Sequence, residues 1–330
     1  MRQIRGMIYT DGMCFEAGSL IIEEDRIGKI EKWEEESLTK KERETYVLPG
    51  LVDTHFHGCA GYDFCDGTIQ AMDAIASYEV THGVTTICPA TMTLLEETLM
   101  RICETCAEAV ETETVCGDIP LKEILRGIYL EGPFISLEKK GAQNPAYIHE
   151  PDLAMLRRLQ KAAHGMIRMA VAAPEVAGAM ELIREGRGEF RFSIAHTCAD
   201  YETAKAAIEA GAAHVTHLYN AMPPFTHRQP GVIGAAAENE KTEVELICDG
   251  IHIHPCVVKS TFKLFGEERV VLISDSMMAT GMEDGEYALG GQPVTVRGNR
   301  ALLSDGTIAG SATNLYDCMR TAVEMGISKE

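Results

Sequence analysis

Short alternating runs of apolar and polar residues mark the first 45 positions, among them Ser19-Leu20-Ile21-Ile22 and Arg26-Ile27-Gly28-Lys29-Ile30. Asp11-Gly12 and Ala17-Gly18 punctuate them, so the period of two predicts small antiparallel hairpins. A charged segment from Glu31 to Glu44 separates this part from the rest. From Val47 the pattern becomes apolar runs of about five residues alternating with longer amphipathic stretches. The runs lie at 51–54, 84–89, 127–130, 167–172, 192–195, 214–216, 244–248 and 270–274. Helical periodicity follows at 68–81, 94–110, 152–163, 201–210 and 312–326. Eight β–α units over about 250 residues predict a (β/α)8 barrel. No Gly-rich dinucleotide fingerprint supports a doubly wound sheet instead. Gly290-Gly291, Arg297-Gly298-Asn299 and Asp305-Gly306 break the pattern near the end, predicting a β-hairpin excursion over 284–310 before the last helix.

Thirty Lys and Arg against fifty Asp and Glu leave a net charge of −20. Nucleic acid and anionic membrane surfaces both require a positive field, so neither is an expected partner. No stretch approaches the roughly 18 apolar residues of a membrane helix. The eleven cysteines are odd in number and scattered through core-like segments, which fits a reducing cytoplasm. Cys103 and Cys106 form the only close pair, and with no second half nearby they read as helix core rather than a zinc site.

The chemistry gathers at strand ends. His55-Phe56-His57 follows the first run, Glu131 the third, His196 the fifth, His217 the sixth and Asp275 the eighth. A barrel builds its site from the C-terminal ends of its strands, so these residues would converge. Two imidazoles two positions apart on an extended segment face the same way, as joint metal ligands must. Each histidine alone reads more simply as a satisfied core residue; four histidines and a glutamate at one end of the strands do not. Asp275 ends a buried run, and Gly281 and Gly285 argue against a helix for it to cap, so it reads as a proton acceptor. Arg228, in the loop after His217, suits a phosphate or carboxylate. Glu175, His82 and Cys59 read as structural. No nucleophile elbow or phosphate-binding loop is present.

Pro49-Gly50-Leu51-Val52-Asp53-Thr54-His55-Phe56-His57-Gly58 resembles the first-strand signature of the metal-dependent amidohydrolase superfamily. Leu130-Glu131-Gly132-Pro133-Phe134, Lys139-Lys140-Gly141-Ala142, Thr216-His217-Leu218-Tyr219-Asn220-Ala221-Met222 and Ile273-Ser274-Asp275 narrow the likeness to the N-acetylglucosamine-6-phosphate deacetylase family. The resemblance implies a small β-sandwich portion over 1–46 and a barrel over 47–330. It implies one divalent ion, zinc or iron, on Glu131, His196 and His217, leaves a second open at His55 and His57, and casts Asp275 as base and then acid. Ala142, Gln143, Asn220, Ala221, Asp249, His252, Ile308, Ala309 and Gly310 would contact a sugar phosphate. Arg228 would reach the site of a neighbouring subunit, making a homodimer. The family has His where this chain has Gln143, which still donates a hydrogen bond but cannot carry charge. It also runs roughly fifty residues further, back into the sandwich. Rival expectations are another amidohydrolase, a different N-acyl sugar phosphate such as the galactosamine epimer, and a non-catalytic sensor. A cyclic-amide hydrolase would need a carbamylated Lys near Glu131, and Lys139 and Lys140 lie eight and nine residues on.

Overall fold

The structure, a computed structural model, describes residues 1–116 and 118–329. It divides into two compact units, Met1–Gly50 with the residues from Ser328, and Leu51–Ile327. In the first unit, β1 (Arg2–Tyr9), β2 (Phe15–Glu23), β3 (Arg26–Lys32) and β4 (Tyr46–Val47) form one sheet in the order β3-β2-β1-β4. The β1–β2 and β2–β3 pairs are antiparallel, as the alternating pattern requires, and β4 joins β1 in parallel. Ala17, Leu20 and Ile21 of β2 are buried, whereas β3 is exposed along nearly its whole length.

The second unit holds all eight expected barrel strands: Leu51–Asp53, Val84–Ile87, Ile128–Leu130, Ile167–Ala172, Arg191–Ile194, Ala212–Val215, Glu243–Ile247 and Val270–Ile273. Strands three to eight form a parallel sheet in sequence order, extended at its far edge by Ala90–Thr91, and strands one and two pair in parallel. The eighth strand meets the first just past their ends, where Asp275 N donates to His55 O at 3.0 Å and His57 N donates to Ser276 O at 2.7 Å. Ser274 Oγ, donating to Asp53 Oδ2 at 2.5 Å, ties the same seam.

Helices cover the outside. Ile69–Thr81, Glu96–Thr112, Leu153–Ala162, Tyr201–Ala210 and Leu315–Glu324 match the expected ones to within a turn. Thr68, Asp152, Asp200 and Asn314 cap four of these, each side chain accepting a first-turn N–H. Three more barrel helices, Ala179–Gly186, Gly231–Glu238 and Pro255–Phe265, were not marked in the sequence. The first two are only eight residues long, and Gly231-Val232-Ile233-Gly234-Ala235-Ala236-Ala237 shows no polar face from which a helical period can be read. After the eighth strand, Gly285–Leu289, Gln292–Arg297 and Arg300–Leu302 make an antiparallel three-stranded meander. No described helix is long and apolar enough to cross a membrane.

Glu79, on the first barrel helix, is fully buried, and among the described residues neither carboxylate oxygen has a hydrogen-bond partner. Burial, reinforced by the nearby charge of Asp53, pushes its pKa from 4.5 up to about 8. A carboxyl group raised in the folded state contributes full stability below about pH 4.5 and loses it as pH rises through about 8. Glu79→Gln is therefore expected to flatten the decline in melting temperature between pH 5 and pH 9, by on the order of 5 °C. Parallel melting curves for the two proteins across that range check it.

Candidate active site

Glu131 follows the third barrel strand and stands at the centre of the site. Gly132, with φ of +101°, makes the turn behind it, and a Cβ there would lie 2.2 Å from Thr93 Oγ1, so only glycine fits. Glu131 Oε1 lies 3.1 Å from His196 Nε2, 3.0 Å from His217 Nε2 and 3.5 Å from His55 Nε2. Oε2 lies 3.3 Å from His57 Nε2. Asp275 Oδ1 approaches the same space, 3.3 Å from His57 Nε2 and 3.9 Å from His55 Nε2. Residues 220 positions apart thus meet because each follows the C-terminal end of a barrel strand.

The imidazoles are aimed from behind. His55 Nδ1 donates to Glu245 Oε2 at 2.8 Å and its ring stacks on Tyr129 at 4.4 Å, leaving Nε2 to face Glu131. His196 Nδ1 donates to the Lys139 carbonyl at 2.8 Å, with the same result. Such outer bonds select the tautomer whose lone pair points inward. His196, His217 and Asp275 all have positive φ (+44°, +29° and +48°), a left-handed backbone that costs free energy in residues with a side chain. The strain falls on residues whose side chains converge.

Burial alone would raise the Glu131 pKa, but the surrounding imidazoles hold it well below the usual carboxylate range. Asp275 is likewise held down against burial by His57 and His55. His57, which burial would lower, is raised to about 10 by Asp275 and Glu131. Two anionic carboxylates therefore face four imidazole nitrogens.

Glu131, His196 and His217 offer ligand atoms within 4.8 Å of one another, and so do His55, His57 and Glu131. His196 Nε2 and His217 Nε2 are themselves 3.1 Å apart. Among the described residues, buried His55 Nε2 and Asp275 Oδ1 have no hydrogen-bond partner. Nitrogen and carboxylate donors at the separations of a tetrahedral shell, with orphaned atoms turned inward, fit a divalent metal ion.

The cluster forms the floor of a cavity of about 480 Å³. His57, Glu131, His196, His217, Asp275, Ala142, Gln143, Asn220, Ala221, His252, Ile308 and Gly310 line it, all of them expected from the sequence. His55 sits beneath the lining, fully buried. Two expected contacts lie off the wall. Asp249 does not reach the wall; its carboxylate accepts from Ile251 N, His252 N and His252 Nδ1 (2.9, 2.9 and 2.7 Å) and so braces His252. Ala309 is fully buried between the two wall residues Ile308 and Gly310. Arg228, expected at a neighbouring subunit's site, lies in a separate surface cleft of its own chain with Asp200, Tyr201 and Pro223.

Sequence reasoning missed Lys139, Lys140, Met92, Leu289 and Thr307 on the wall, and Glu245 beneath it. Glu245 carried a signal, a carboxylate inside the apolar run Val244-Glu245-Leu246-Ile247. The residues read as structural are so placed: Glu175 accepts from Thr197 Oγ1 and Cys198 N, His82 stacks on Tyr78, and Cys59 is fully buried.

Residues 46–329 match the model of the Amidohydrolase family. The N-acetylglucosamine-6-phosphate deacetylase of Bacillus subtilis (strain 168) is 41% identical over 280 residues, covering 84% of this chain and 69% of the relative. The N-acetylgalactosamine-6-phosphate deacetylase of Escherichia coli O157:H7 is 33% identical over 294 residues, covering 88% and 75%. A point mutant of the N-acetyl-D-glucosamine-6-phosphate deacetylase of Mycobacterium smegmatis, solved in complex with N-acetyl-D-glucosamine-6-phosphate, superposes with a TM-score of 0.88 at 32% identity. That superposition covers 99% of this chain and 84% of that one.

Gly141, with φ of +55°, would place a Cβ 3.3 Å from His196 Cε1 and 3.9 Å from Ala221. Gly141→Ala is expected to displace His196, weakening retention of an added divalent ion against a chelator and lowering turnover at least about tenfold. Chelator competition and initial rates on the folded variant check both effects.

Proposed function

The chain belongs to the amidohydrolase family, and on that footing we propose that it hydrolyses the N-acetyl group of N-acetylglucosamine 6-phosphate in amino-sugar catabolism. The products are glucosamine 6-phosphate and acetate. The observation that carries this reading is the convergence of Glu131, His196, His217 and Asp275 on the floor of one cavity. Glu131, His196 and His217 would hold the principal ion, zinc or iron, with His55 and His57 available to a second. When bound, such an ion supplies Lewis-acid polarisation of the amide carbonyl and lowers the pKa of water.

Asp275 does the proton work. It is anionic, buried and placed with Oδ1 toward the ligand cluster, so it accepts a proton as water attacks the acetyl carbon. The C–O bond forms, the C–N bond breaks, and Asp275 returns the proton to the departing nitrogen. An amine is a poor leaving group, and that returned proton makes its departure feasible.

His252, braced by Asp249, and the Ile308–Gly310 segment face the cavity where the sugar would lie. For the phosphate, we assign the Asn220–Ala221 turn and the wall lysines Lys139 and Lys140, the local positive charge that a chain of net −20 must supply to an anion. Arg228 would serve a neighbouring subunit's phosphate, which makes the active form a homodimer. Eleven cysteines, all free, accord with a cytoplasmic setting.

Acetate release from N-acetylglucosamine 6-phosphate tests the reading, run beside the galactosamine epimer because the E. coli relative is named for that sugar. The metal-loaded protein is expected to release acetate, and Asp275→Asn to lose about 10²–10⁴-fold in kcat. Faster release from the epimer moves the assignment to that sugar, and release unaffected by Asp275→Asn overturns the proton-transfer role.

A further inference from the structure

Gln143 is 1% exposed, and both ends of its amide are engaged. Thr93 N–H donates to Oε1 at 2.6 Å, and Nε2 donates to Glu131 Oε2 at 2.7 Å. The orientation is dictated: a main-chain N–H can only donate, so the amide oxygen must face Thr93 and the NH2 group must face the carboxylate. The backbone is fixed as well, because Gln143 N donates to the Lys140 carbonyl at 2.9 Å. The Thr93 side chain also lies beside Gly132, the residue after Glu131, where a Cβ would meet Thr93 Oγ1 at 2.2 Å. A hydrogen-bonded circuit therefore runs from Glu131 through the Gln143 amide to Thr93 N–H, ending beside Gly132.

This circuit makes the two oxygens of Glu131 unequal. Oε1 is left to His196 and His217, while Oε2 accepts the amide. Turning the carboxylate to offer both oxygens to one ion would break the 2.7 Å bond. We propose that Gln143 is a positioning residue for Glu131, holding the carboxylate in a one-oxygen presentation toward the His196–His217 pair. On this account Gln143 acts through Glu131 on metal retention, rather than first on the substrate carbonyl. The inference rests on the divalent-metal part of the function proposed above and is independent of the sugar.

The test is Zn2+ affinity, measured by chelator competition on the full chain and on Gln143→Met and Gln143→Leu, which keep volume but cannot donate. Loss of an outer partner of a ligand is expected to weaken Zn2+ binding about 10–100-fold. The visible absorption spectrum of the Co2+-loaded variants is expected to shift as Glu131 changes its mode of coordination. Affinities within twofold of the unsubstituted protein, with an unchanged Co2+ spectrum, overturn the proposal even if turnover falls. An unsubstituted protein that binds no Zn2+ overturns it together with the metal reading. Should neither variant fold, amide exchange in the unsubstituted protein decides: slow exchange of the Gln143 side-chain protons supports the circuit, and exchange at the rate of a free amide refutes it.

Discussion

Glu131 carries a negative charge on an almost fully buried side chain, and the rim of the barrel is arranged around that charge. Burial of a carboxylate is costly unless opposing charge and donors surround it. Four imidazoles and the Gln143 amide do so here. Each imidazole needs its own support, which explains Glu245 behind His55 and the Lys139 carbonyl behind His196. The loop of Lys139–Gln143 thus orients two members of the site at once: its carbonyl fixes His196 and its amide fixes Glu131.

The fold supplies the convergence. Strands of three to six residues end at one level, and the chain leaves His196, His217 and Asp275 in left-handed backbone that turns their side chains over the barrel mouth. Closure between the eighth and first strands brings Asp275 beside His55 through a 3.0 Å main-chain bond. A proton acceptor and a metal-ligating cluster are therefore placed by sheet registration rather than by flexible loops, which limits the reorganisation needed for catalysis. The meander over Gly285–Leu302 adds a wall, with Leu289 on the cavity and Gln292 Nε2 donating to the Ala142 carbonyl.

Much of this was legible in the sequence because it depends on local pattern. Eight apolar runs correspond to eight strands, and residues immediately beyond them, such as Glu131 and His217, line the cavity. What escaped depends on contacts between distant segments. Lys139 and Lys140 sit at the end of a single 3-10 turn, Leu137–Lys139, too short for any periodicity to mark an inward face. Asp249 carried the right chemistry one layer too deep, since only the fold shows that its oxygens are spent on His252. The role of Gln143 likewise depends on Thr93, fifty residues earlier, and two barrel helices, Ala179–Gly186 and Gly231–Glu238, were too short or too uniformly apolar to show a period.

The central claim is that a Glu131-centred metal site makes this cavity hydrolytic. It is tested most directly by stripping the protein of metal, confirming that it remains folded, and following acetate release from N-acetylglucosamine 6-phosphate as zinc or iron is titrated back. The account predicts that stripping abolishes release and that activity returns in proportion to bound metal, saturating as the site fills. Undiminished release from stripped protein, or none from folded and fully loaded protein, would contradict it.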